Sequence, residues 1–425
     1  MSSVNNHLIG RDLYIPRMSI DGASAMAAVF RSFGVNGQLV PESDEYSLDL
    51  AKQYTIGEEC YPEIVTLGGF LKLINQIDFN PEKVAFMMPT AGGPCRFGQY
   101  AGLMKKILNN KGLDQVIVVA PSSENGYDKL IPEANNFVRM AWWGLVCADI
   151  LRKLLLQTRP YEINSGDSDR THAFCLDMLC KVLERTDMNS KIKFAALIEE
   201  MKKITYIFSQ ISANYSKEKL LIGIVGEIYC RLDDFSNAYT IKRIEKYGGE
   251  VWLASIAEWI FYVNFMQKTD LKIDGRRFSK SMLNVIIKNI IQTRDEHQLY
   301  MPAHERFIGY EEPENTRKIL EPVRKYLPYT GALGEMVLNV GGAIYLHGKG
   351  ADGIIDISPF TCMNGIVCEA IYPNVSKDHD NIPIKNFYFD GTGTDFDRDV
   401  EIFMELAANY KRRKKVNRTY PSYFS

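Results

Sequence analysis

Residues 83–122 read "KVAFMMPTAGGPCRFGQYAGLMKKILNNKGLDQVIVVAPS". A short apolar run comes first, then a stretch with the spacing of an amphipathic helix, then a second apolar run, "VIVVA". That order is strand, helix, strand, and it predicts a parallel sheet covered by helices. Upstream, "DLYIP", "ASAMAAVFRSFG", "GQLVPE" and "ECYPEIVTLGGFLKLINQ" continue the same alternation. Residues 1–134 are therefore expected to form a first α/β lobe.

Beyond it the strand-like runs stop. From 135 to 215 long amphipathic patterns such as "FCLDMLCKVLERT" and "KIKFAALIEEMKKITYIFSQI" predict a helical segment. Alternation returns with "LLIGIVGEIY", "EVWLAS", "GIIDIS" and "IKNFYFD", which makes 216–425 a second α/β lobe with a helical insertion at about 279–346. The whole reads as α/β, two Rossmann-like lobes with helical insertions and a site in the cleft between them. The basic end of "FDRDVEIFMELAANYKRRKK" is expected to be a solvated helix C-terminus, where cations suit the helix dipole.

Composition narrows the function classes. The 425 residues carry a formal charge of only −2, which gives no electrostatic footprint for nucleic acid or an anionic bilayer. The opening "MSSVNNHLIGRDLY" lacks the apolar core of a signal peptide, and "MAWWGLVCADILRKLLL" is interrupted by Asp149, Arg152 and Lys153. A cytoplasmic protein without nucleic-acid or membrane partners is the expectation. Eight cysteines scattered over such a length argue for reduced thiols rather than a disulfide framework.

Three cysteines share one kind of position. Cys95 follows a strand and a Gly-Gly-Pro turn, Cys362 follows "GIIDISPFT", and Cys60 precedes Pro62 in the first turn of "PEIVTLGGFLKLINQ". Each is read as opening a helix, where unpaired N–H groups lower a thiol pKa and can hydrogen-bond sulfide. Such positions face the crevice beyond the strand ends in α/β domains. For any one cysteine the ordinary alternative is a small buried hydrophobe. That alternative suits Cys147, Cys175 and Cys180 inside helical patterns. It also suits Cys368, which lies about 240° around a helix from Cys362. Cys230, placed at a strand end, is a candidate fourth ligand. Zinc favours closely paired ligands such as C-x₂-C, which are absent here, whereas an incomplete, widely spaced set fits a [4Fe–4S] cluster with one iron left open.

The motif at 89–100 adds to this. "PTAGGPCRFGQY" resembles a motif of the 2-hydroxyacyl-CoA dehydratase and benzoyl-CoA reductase superfamily, in particular the C-terminal region of large acyl-CoA dehydratase activase-related proteins. "RDLYIPRMS", "GEECYPEIVTLGGFL", "PSSENGY", "GEIYCRLDDFSN", "PFTCMNGIVCEAI" and "FDGTGTD" resemble further blocks of that family in order, from about Arg11 to Met404. The resemblance implies a [4Fe–4S] cluster ligated by Cys60, Cys95 and Cys362. Asn364 departs from the family's usual proline, and Cys230 stands where an aliphatic residue is expected.

The implied activity is radical dehydration or reduction of an acyl-CoA thioester, with low-potential electrons from an ATP-dependent activator that has its own iron–sulfur cluster. Glu58, Glu59, Arg96 and Gln99 are catalytic candidates by adjacency to the cysteines, with helix capping or a surface ion pair as their ordinary alternatives. "FDGTGTD" faintly resembles a phosphate loop, but a helical run follows it at once, so no ATP is expected on this chain. An electron-transfer component without CoA-ester chemistry, or a non-catalytic interaction scaffold, is the alternative reading. An oligomer is compatible with either.

Overall fold

The computed structural model describes residues 8, 10–91, 95–121, 131, 133–330, 334–393 and 395–424. The Gly-Gly-Pro turn before Cys95 and most of "PSSENGY" lie outside the described residues. The chain divides into two compact units, Met1–Ala148 with Leu176–Glu200, and Asp149–Cys175 with Met201–Ser425.

The first unit holds β1 (Asp12–Ile15), α1 (Ile20–Ser32), β2 (Asn36–Leu39), α2 (Glu45–Lys52), α3 (Tyr61–Ile74), β3 (Val84–Met87), α4 (Tyr100–Asn110) and β4 (Ile117–Val119). All pairings are parallel, in the order β2-β1-β3-β4, with Asp12 opposite both Asn36 and Val84. Every residue of β3 is buried, as a strand covered on both faces requires. Phe86 packs on Phe70 of α3 at 4.3 Å, and Met104 and Ile107 of α4 join the same core.

Three long helices follow: α5 (Ala134–Thr158), α6 (Asp167–Glu184) and α7 (Ser190–Ser209). This is the helical segment expected from 135 to 215, and the boundary between the units falls inside each helix. In the first unit, Phe137 meets Phe30 at 4.7 Å and Trp143 meets Phe194 at 4.8 Å.

The second unit repeats the plan with β5 (Leu220–Gly226), α8 (Ile228–Leu232), α9 (Thr240–Lys246) and β6 (Gly249–Leu253). Four helices fill the stretch before the next strand: α10 (Ile256–Ile273), α11 (Lys280–Tyr300), α12 (Thr316–Val323) and α13 (Met336–Gly348). Then come β7 (Gly353–Pro359), α14 (Met363–Asp378), β8 (Ile384–Phe389) and α15 (Phe396–Lys411). The sheet is again wholly parallel, ordered β6-β5-β7-β8. Among the described residues no helix is long and apolar enough to cross a membrane.

Asp149, which interrupts the most apolar stretch of sequence, accepts hydrogen bonds from Ile256 N (3.3 Å) and Ala257 N (2.9 Å) at the start of α10. Its charge interaction is thus with a helix N-terminus, although burial still pushes it up to about 7.

Of the basic residues 411–415, Arg412, Arg413 and Lys415 are exposed as expected, while Lys414 turns inward. Lys414 pairs with the buried Asp352 at 2.7 Å, and Arg418 pairs with Glu250 at 2.6 Å, both of them almost wholly out of solvent. Glu250 also accepts from Tyr161 Oη (2.6 Å) and Tyr310 Oη. Phe424 closes over Tyr161 and Tyr215. The acid on β6 demanded a cation, and a tail 168 residues away supplies it. Replacing Arg418 by Ala strands that acid and is expected to cost about 3–5 kcal/mol in urea unfolding. Lys415→Ala, whose side chain is 83% exposed, should stay within about 0.5 kcal/mol of the parent.

Candidate functional site

In each sheet the first and third strands are neighbours, and their following connections leave in opposite directions, which is where α/β sheets place a ligand crevice. Cys95 follows the third strand of the first sheet and Cys362 the third strand of the second. Cys60 precedes α3, Cys95 precedes a 3₁₀ turn (Arg96–Gln99) that leads into α4, and Cys362 precedes α14. Their backbones match closely, with φ/ψ of −66/137°, −69/133° and −67/120°. All eight cysteines are thiols outside any disulfide.

In the first unit, Arg96 Nη1 donates to Glu58 O at 2.7 Å and ties the Cys95 segment to the Cys60 segment. Glu59 does not cap α3; its Oε2 accepts from Ile56 N (2.9 Å) and Gly57 N (3.1 Å) and closes the preceding loop. Gln99 ends the 3₁₀ turn, exposed. The acid with the most altered chemistry is Glu63, in the first turn of α3 and only 6% exposed. Burial pushes it up to about 7, the Glu59 carboxylate adds to the rise, and Arg96 opposes it. Adjacency to cysteine did not single it out. The available signal was an acid set in the otherwise apolar "YPEIVTLGGFL", three residues after Cys60.

In the second unit the site is built on two glycines. Gly226 ends β5 at φ +121°, and a Cβ there would lie 2.1 Å from Ile357 O, so only glycine lets the chain turn beside β7. Gly365 lets α14 start against β7, since its Cβ would lie 2.6 Å from Ser358 Oγ. Glu227 N then donates to Ile357 O at 2.8 Å, and its carboxylate accepts from Tyr229 N (3.0 Å) and Cys230 N (2.8 Å). Glu335 Oε1 accepts from Ile228 N at 2.8 Å. Arg231 Nη1, almost fully buried, donates to Gly226 O at 2.8 Å.

Cys230 lies within α8 rather than at the end of β5, which stops at Gly226. It is fully buried, and its backbone N–H donates to the Glu227 carboxylate at 2.8 Å. Cys362 is partly exposed. Burial pushes its thiol up to about 12; the N–H groups of Gly365 and Asn364 oppose this, while Glu227 and Glu335 add to it. Asn364 is buried in the first turn of α14. Burial first, and the neighbouring Glu227 next, push Glu335 up to about 8, so it keeps its proton at neutral pH. Cys147, Cys175, Cys180 and Cys368 are core residues, buried on helices.

The candidate ligands divide between the units: Cys60 and Cys95 in the first, Cys362 and Cys230 in the second. Among the described residues no group of three or more His, Cys, Asp or Glu is gathered to hold a metal ion. The sulfur donors suit iron, while burial and the Glu227 and Glu335 carboxylates favour Cys362 as a thiol. Comparison with models of known protein families and with curated proteins finds no match.

Glu63 yields a pH test. Its folded pKa is raised, so between about pH 4.5 and 7 the folded state holds a proton that the unfolded chain has lost, and stability falls as pH rises through that window. Glu63→Gln should match the parent near pH 4 and exceed it above pH 7 by on the order of 2 kcal/mol. Urea midpoints measured across that range check it.

Proposed function

We propose that the chain is a [4Fe–4S] protein of the 2-hydroxyacyl-CoA dehydratase type, working in the cytoplasm on an acyl-CoA thioester. It takes low-potential electrons from a separate ATP-dependent activator with its own iron–sulfur cluster. The observation that carries this reading is the shared backbone geometry of Cys60, Cys95 and Cys362, each set immediately before a helical turn in a block that resembles the family's. A bound cluster supplies one-electron chemistry and, at an iron without a cysteine ligand, a Lewis acid for the thioester oxygen.

The protein's own groups have defined tasks in this reading. The three cysteines would hold iron as thiolates, against the burial that raises the Cys362 pKa. Cys230, fully buried in α8, would stay off the cluster. Glu335 holds a proton at neutral pH beside Cys362, and Glu63 holds one up to about pH 7 near Cys60. These are the groups suited to move a proton as charge arrives or departs.

Protein purified without oxygen is expected to be brown, with about four iron and four acid-labile sulfide per chain. Cys60→Ala, Cys95→Ala and Cys362→Ala should each lose the iron while keeping the parent circular dichroism. Alanine at Cys147, Cys175, Cys180, Cys230 or Cys368 should leave it in place. Colourless protein, or protein containing only zinc, defeats the proposal. Iron lost from Cys230→Ala would make that residue the fourth ligand and move the function to plain electron transfer.

A further inference from the structure

Helix α11 is apolar on two opposite sides. One side, with Met282, Val285 and Leu299, is buried, and Met282 and Val285 cluster with Leu271 of α10. The other presents Leu283, Ile286, Ile287 and Ile290 to solvent, at 55%, 39%, 46% and 61% exposure. Their spacing of i, i+3, i+4 and i+7 confines them to a sector of about 100°, the narrow seam by which one helix receives another. A single exposed Leu or Ile is commonplace, but four on one seam form a surface made to be covered.

The charges around the seam define the occupant. Lys280 and Arg294, both exposed, project on the same face, one beyond each end of the apolar run, and His297 lies one turn further on. Of the two, Arg294 also pairs with the buried Asp295 at 3.1 Å, and Lys280 stands at the N-terminal end of the seam. A second copy is disfavoured by this layout. Antiparallel pairing sets Lys280 of one copy against Arg294 of the other, and parallel pairing sets each cation against itself.

We propose that this seam docks an acidic amphipathic helix of another protein, with Leu283, Ile286, Ile287 and Ile290 as the apolar anchors and Lys280 and Arg294 fixing register through opposite charges. The surface is independent of the cysteine site, and its partner is recognised by leucine-type side chains on one stripe flanked by Glu or Asp.

The test uses the full chain and a labelled helical peptide of about five turns, with Leu on one stripe and Glu on its flanks. Fluorescence anisotropy should show saturable binding that weakens with added salt. Ile286→Asp combined with Ile290→Asp should weaken it at least about tenfold, as should Lys280→Glu alone, with circular dichroism unchanged. A Leu/Lys peptide of the same stripe should bind at least about tenfold more weakly than the Leu/Glu peptide. Absence of peptide binding overturns the proposal, as does equal binding of a scrambled sequence. Sedimentation showing a dimer that the Ile286→Asp and Ile290→Asp pair disperses would assign the seam to a second copy. Retention on phosphatidylglycerol vesicles without peptide binding would assign it to lipid.

Discussion

Parallel strand pairing is the constraint on which the rest of this molecule depends. When all four strands of a sheet run one way, every carboxyl end lies along one edge and every crossover starts there. Both sheets obey this with the same strand order, the first strand between the second and third. The polar groups that begin each crossover are therefore concentrated at one edge. In the second unit Glu227 and Cys362 are neighbours because β5 and β7 are, although 135 positions separate them in the chain.

That concentration has an electrostatic cost. Glu335 is buried and Glu227, Asp149 and Glu258 are partly buried in the second unit, and desolvation raises the pKa of each. The fold offsets part of this with backbone N–H groups, which Glu227, Glu335 and Asp149 accept, and with the buried Arg231, which lowers all four. The remaining cost is avoided by holding protons. Groups that keep a proton near neutral pH are a liability for stability, and they are also the groups able to transfer one. Burial raises the pKa of Glu250 as well, but there Arg418 and two tyrosine hydroxyls meet the carboxylate directly. That network anchors the C-terminal segment to β6 and is architectural.

Departures from the expected motif become intelligible at this level. Asn364, where the resemblance leads one to expect proline, sits buried in the first turn of α14, so the helix starts there with asparagine. Cys230 is fully buried inside a five-residue helix with its backbone N–H on the Glu227 carboxylate, an arrangement that a strand-end placement would not have produced.

The sequence by itself determined the α/β class, the parallel sheets, the run of helices between them and the helix-start positions of Cys60, Cys95 and Cys362. These are local matters: periodicity over one element, a proline in a first turn, a glycine where a strand must end. Tertiary structure alone decided which acids are buried. Glu63 and Glu335 became proton holders while Glu58 remained exposed and Glu59 closed a loop through its carboxylate. It also decided that Lys414 and Arg418 would be held by Asp352 and Glu250, and that one side of α11 would face solvent with four apolar residues. The physical reason is that burial and charge pairing are set by neighbours far away in the chain, and periodicity within one element does not specify which neighbours those will be.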